Sequence, residues 1–123
     1  MPVKTITNAF TSLDVLPTLA EWLHLPLPKG RTIDGRSVAG LLSGTNRHFQ
    51  HDPIYYVNYG IPEAIRVGDW KLRRMGSTTA APQLELFNLA DDPRERINLA
   101  IAYPEKVKTL IALLDKYNGN TPN

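Results

Sequence analysis

Three histidines are the first residues whose type and spacing invite chemistry. His48 and His51 stand three apart with Asp52 adjacent, a donor set that a transition metal accepts. The spacing is weak, because Pro53 follows at once and residues 45–52 read as a polar loop that nothing preorganises. A solvated loop is the better reading. His24 closes a predicted helix between Leu23 and Leu25, where capping the last carbonyls accounts for it. Asp91 and Asp92 are adjacent carboxylates after a strand, an arrangement that can hold a divalent cation. Yet Asp92-Pro93-Arg94-Glu95 fits N-cap, N1, N2 and N3, with Glu95 placed to reach back. The capping box is preferred.

Nucleophiles fare no better. Ser12, Ser37, Ser43 and Ser77 sit in cap or loop contexts, and no Gly-x-Ser-x-Gly elbow exists. Gly35, Gly40 and Gly44 are spaced wrongly for a phosphate-binding loop. Cysteine is absent, which excludes thiolate chemistry and disulfides and leaves the compartment open. Lys71, Arg73 and Arg74 make a basic strand end that an anion could meet, although strand residues facing water explain it more simply. Tyr55, Tyr56 and Tyr59 have rings suited to stacking on sugars, yet aromatic strands are ordinarily core. From residues alone, no self-sufficient active site is legible.

The elements that must position these groups fall into three stretches. The 123 residues are one domain's worth of chain, 42% hydrophobic and 21% charged. The formal charge of +2 is spread too thinly for a nucleic-acid surface. No apolar run approaches the ~18–20 residues that span a bilayer, so no membrane partner is expected. The N-terminus carries no apolar h-region and hence no recognisable signal peptide. Ser12 reads as the N-cap of a helix over 13–23 with Pro17 near its first turn, and residues 37–44 as a two-turn helix after an Asp34-Gly35 turn. Strands are predicted at 54–59, at 64–67 and 70–73 around Gly68-Asp69, and at 84–89, with a loop at 77–82. Val107, Leu110, Ile111, Leu114 and Tyr117 form the apolar stripe of a helix over 104–117, ended by Asn118-Gly119. The fold class is α+β, with a small four-stranded antiparallel sheet packed against the C-terminal helix and preceded by connecting helices.

Four segments, taken together, resemble the C-terminal portion of sulfatases of the arylsulfatase type. They are Thr11-Ser-Leu-Asp-Val-Leu-Pro-Thr-Leu-Ala20, Ile33-Asp-Gly-Arg-Ser-Val-Ala-Gly-Leu-Leu-Ser-Gly44, Ala64-Ile-Arg-Val-Gly-Asp-Trp-Lys-Leu72 and Leu86-Phe-Asn-Leu-Ala-Asp-Asp-Pro-Arg-Glu-Arg-Ile-Asn-Leu-Ala100. They occur in the family's order across nearly the whole chain. Val38, where leucine is usual, and Gly40, where proline is frequent, are the departures. The resemblance implies residues 1–48 as a connecting helical segment and 49–123 as the antiparallel-sheet and helix subdomain. It places the Asp91-Asp92 pair in the family's C-terminal turn, apart from its metal ligands.

The family hydrolyses sulfate esters with calcium and a formylglycine made from Cys or Ser in a Cys/Ser-x-Pro-x-Arg motif. None of the four serines has proline two residues later, so the resemblance carries over no catalytic residue, no metal ligand and no cofactor to this chain. The expected partners are the N-terminal catalytic domain and, in the full enzyme, a sulfated small molecule or carbohydrate. Export or a periplasmic location is common in the family, so the resemblance points to such a parent enzyme while the chain itself leaves the compartment open. The loop from Asn58 to Glu63 is expected to face substrate, with Tyr59 packing on a sugar ring and Asn58 and Glu63 bonding hydroxyls. Leu13, Val15, Trp22 or Leu23 are expected to stay exposed where the larger domain would meet them. The alternatives are a free-standing carbohydrate-binding or interaction module of the same descent, and part of a related alkaline-phosphatase-superfamily hydrolase.

Overall fold

Alternation of apolar and polar residues sets the sheet. The computed structural model describes residues 5–76 and 81–118, and these divide into two units between His51 and Asp52. In the second unit, β1 (Ile54–Asn58), β2 (Ile61–Val67), β3 (Trp70–Met75) and β4 (Gln83–Asn88) pair antiparallel in sequence order. Register places Tyr55, Ile65, Leu72 and Leu86 in one row across the four strands. The C-terminal helix, called α3 below (Pro104–Asn118), covers that row, with Leu110 and Leu114 completing a core of Ile65, Leu72 and Leu86. Val107 and Ile111 pack at its margin, and Tyr117 stacks on Tyr55 with ring centroids 4.7 Å apart. The α+β architecture and the helical stripe therefore follow from periods of two and 3.6. The expected loop at 77–82 and the helix stop at Gly119 fall partly on residues outside those described.

The helix expected to begin at Asp92 does not form. Glu95 adopts a left-handed φ of 53°, and its carboxylate meets Lys71 Nζ at 2.6 Å instead of reaching back to Asp92. Asp92 accepts the N–H groups of Arg96 and Ile97 at 2.7 and 2.8 Å, so its carboxylate ties an irregular turn. A partner 24 residues away in sequence has displaced the local cap.

In the first unit a 3₁₀ turn, Ser12–Asp14, leads into α1 (Val15–Trp22), and Thr11, not Ser12, is its N-cap. The helix ends on backbone bonds rather than on the His24 imidazole. His24 takes a φ of 53°, its N–H reaches the Glu21 carbonyl at 3.2 Å, and the Leu25 N–H reaches Ala20 at 2.9 Å. This is a Schellman closure with histidine where glycine is usual. Asp34-Gly35 forms no turn. Gly35 lies so close to Leu13 that an added Cβ would sit 2.0 Å from the Leu13 carbonyl oxygen. The next helix, α2 (Ala39–Ser43), is a single turn instead of two, ending at Gly44.

Two substitutions separate core from surface. Leu114→Ala is expected to lower stability by about 2–5 kcal/mol in urea unfolding, because it empties a fully buried site. Ile101→Ala, at a residue 97% exposed, is expected to change stability by less than about 0.5 kcal/mol.

Candidate functional site

Pro62 has no N–H to give a sheet ladder, yet it stands in β2, a central strand. The pairing accommodates it with a bulge. Tyr56 faces Ala64 and Val57 faces Pro62, leaving Glu63 as the extra residue. The stretch expected as a loop over 58–63 is thus mostly strand: Asn58 closes β1, Ile61 opens β2, and only Tyr59-Gly60 connects them. Both connecting residues have positive φ, 48° and 81°, the pair of left-handed conformations that a type I′ hairpin turn demands. Glycine adopts this freely. Tyrosine does so at a cost of roughly 1–2 kcal/mol, and strain of that kind is concentrated at functional positions.

The turn presents its tyrosine outward, with the Tyr59 side chain 99% exposed. Asn58 Nδ2 donates to Glu63 Oε1 at 3.3 Å across the neck of the hairpin. The three residues named from the sequence therefore share one hairpin: an exposed aromatic ring in its turn, and a linked amide and carboxylate at its neck. The arrangement can stack on a ring and accept hydrogen bonds. Its side-chain bond, an amide to a carboxylate, activates neither Tyr59 nor Glu63 as a nucleophile.

The other candidates resolve into structure. Lys71 pairs with Glu95 and lies 4.8 Å from the centroid of the Tyr56 ring, Arg73 bonds Glu85, and Arg74 bonds Asp115 at 2.7 Å. The basic strand end is neutralised pair by pair rather than left facing water. Among the described residues no three of His, Cys, Asp or Glu converge in a way that could hold a metal ion. The calcium that the sequence resemblance implies thus finds no fitting donor set in them. No helix among them is long and apolar enough to cross a membrane.

Sequence reasoning passed over Asp14, which has no exposed surface. Its carboxylate accepts the Thr11 N–H at 2.6 Å, the Arg36 N–H at 2.8 Å and a contact from His51 Nε2 at 2.9 Å. Thr18, one turn later, donates to the Asp14 carbonyl at 2.6 Å and accepts the Val38 N–H at 3.0 Å. The only sequence signal was the Thr11-x-x-Asp14 capping spacing. Burial opposes the Asp14 charge, but the two backbone donors and the His51 ring outweigh it and hold the carboxyl below its ordinary range. His51 is thus a partner of this carboxylate. Nearby, Leu13, Val15, Trp22 and Leu23 are all more than half exposed. Phe10, Val15, Leu19 and Trp22 also line a hollow of about 140 Å³.

No family model matches the chain. Human arylsulfatase A is 34% identical over 81% of the chain and 25% of its own length. Human steryl-sulfatase is 26% identical over 97% of the chain and 26% of its own length. A solved sulfatase, from work on a versatile core genetic locus by which Bacteroides thetaiotaomicron metabolises multiple glycosaminoglycans, matches with a TM-score of 0.65. It is 26% identical, over 87% of this chain and 24% of its own. The chain belongs to the sulfatase family and corresponds to a C-terminal part of it. It spans about a quarter of the length of the curated relatives it matches.

Asp14→Asn is expected to lower stability at neutral pH by roughly 1.5–3 kcal/mol, because two part-buried N–H donors lose their charged acceptor. Since folding depresses this carboxyl, its contribution is present above about pH 4 and is lost as pH falls further. The gap between wild type and variant in urea unfolding should therefore narrow as pH falls from about 4 toward 3.

Proposed function

We propose that this chain forms the C-terminal part of a sulfuric-ester hydrolase, where it shapes the substrate pocket and leaves bond cleavage to groups outside these 123 residues. Attack on sulfur needs an activated nucleophile together with cationic groups that hold the departing sulfate. Neither a formylglycine precursor nor a metal donor set is found in the described residues. The observation that carries the reading is the hairpin tip, where a strained turn holds Tyr59 wholly free beside the joined Asn58 and Glu63. A ring so placed packs against the apolar face of a pyranose, and the amide and carboxylate take its hydroxyls. The substrate class is a sulfated carbohydrate, a choice supported by the glycosaminoglycan setting of the Bacteroides relative. The exposed apolar residues of α1 supply the surface on which an N-terminal catalytic domain docks.

The test joins this segment to a sulfatase catalytic domain bearing Cys/Ser-x-Pro-x-Arg and measures kcat/KM over a panel of sulfated sugars and a small aryl sulfate. Tyr59→Ala is expected to lower kcat/KM for the sugars about tenfold, on the scale of a lost stacking contact, while sparing the aryl sulfate. Unchanged values across the panel would contradict the pocket-shaping role.

A further inference from the structure

The chemistry of the tip is narrower than sugar contact in general. Glu63 occupies the bulge, so its side chain is set by a break in the ladder and not by the ordinary pleat. One carboxylate oxygen accepts from Asn58 at 3.3 Å, which leaves the other to accept from a ligand. The nearest basic group along the strands, Arg74, has its charge committed to Asp115 at 2.7 Å and reaches only the Pro62 carbonyl, at 3.4 Å. The hairpin therefore carries a π face in its turn, at Tyr59, and a negative charge at its neck, at Glu63. An ammonium group is attracted by both, and a sulfate is repelled by both.

Resting on the pocket reading above, we infer that Glu63 and Tyr59 select an amino sugar with its free ammonium toward the tip and reject the same ring N-sulfated there. The ester to be cleaved then lies on the far side of the ring. Exchanging an ammonium for an N-sulfate about 6 Å from a carboxylate in water reverses the sign of the interaction, a change of roughly tenfold in affinity.

The 123-residue chain, isotopically labelled, is titrated with glucosamine 6-sulfate and separately with its 2-N-sulfated counterpart while the Tyr59 ring and Gly60 amide signals are followed. The first ligand is expected to shift both signals with a dissociation constant about tenfold lower than the second. Glu63→Gln, which keeps the bond to Asn58, should bring the two within twofold, and Tyr59→Ala should abolish both titrations. Equal affinities in the wild type, or a preference untouched by Glu63→Gln, would overturn the selectivity while leaving a sugar on Tyr59. Absence of any Tyr59 response to either ligand would overturn both the selectivity and the reading beneath it.

Discussion

A carboxylate removed from water must be matched by donors, and in the first unit that requirement falls on Asp14. The aspartate takes N–H groups from Thr11, just before its turn, and from Arg36, 22 positions later. Thr18 repeats the device one turn on, so that the N–H groups of Arg36 and Val38 are captured by the side chains of Asp14 and Thr18. Gly35, just before them, lies against the Leu13 carbonyl, where any side chain would collide with backbone. Two stretches that looked like separate family motifs are thus the two halves of one interaction. With so few apolar residues buried in this unit, hydrogen bonding to a single charged group sets its geometry.

The second unit obeys a different rule, that of an apolar row on a sheet covered by an apolar stripe on a helix. This part was legible in the sequence, because the periods of Ile54–Tyr59, Trp70–Arg73 and Val107–Tyr117 are local properties. What escaped was decided at a distance. Glu95 was fitted to a cap by its neighbours and claimed by Lys71 on another strand. His51 was weighed against His48, three residues away, when its partner lies 37 residues away. Asp34-Gly35 has the composition of a turn, and Gly35 instead packs against the Leu13 backbone. At the tip, residue identities could be named, but the bulge at Pro62-Glu63 and the left-handed Tyr59 follow from pairing register, which composition does not encode.

In the proposed reading the two units divide the labour of an accessory region. One carries exposed apolar residues on a short helix braced by Asp14 and Thr18. The other projects a single aromatic ring from a two-residue turn, its position fixed by a four-stranded sheet. Neither needs a reacting group to matter for catalysis, since orienting a substrate is itself a large part of rate acceleration.

The central claim is that these residues direct a substrate without breaking its sulfate ester. Purified protein, supplied with calcium and a generic aryl sulfate, tests that claim directly. No sulfate release above the uncatalysed background is the predicted result. Sustained turnover that co-purifies with the 123-residue chain would contradict it.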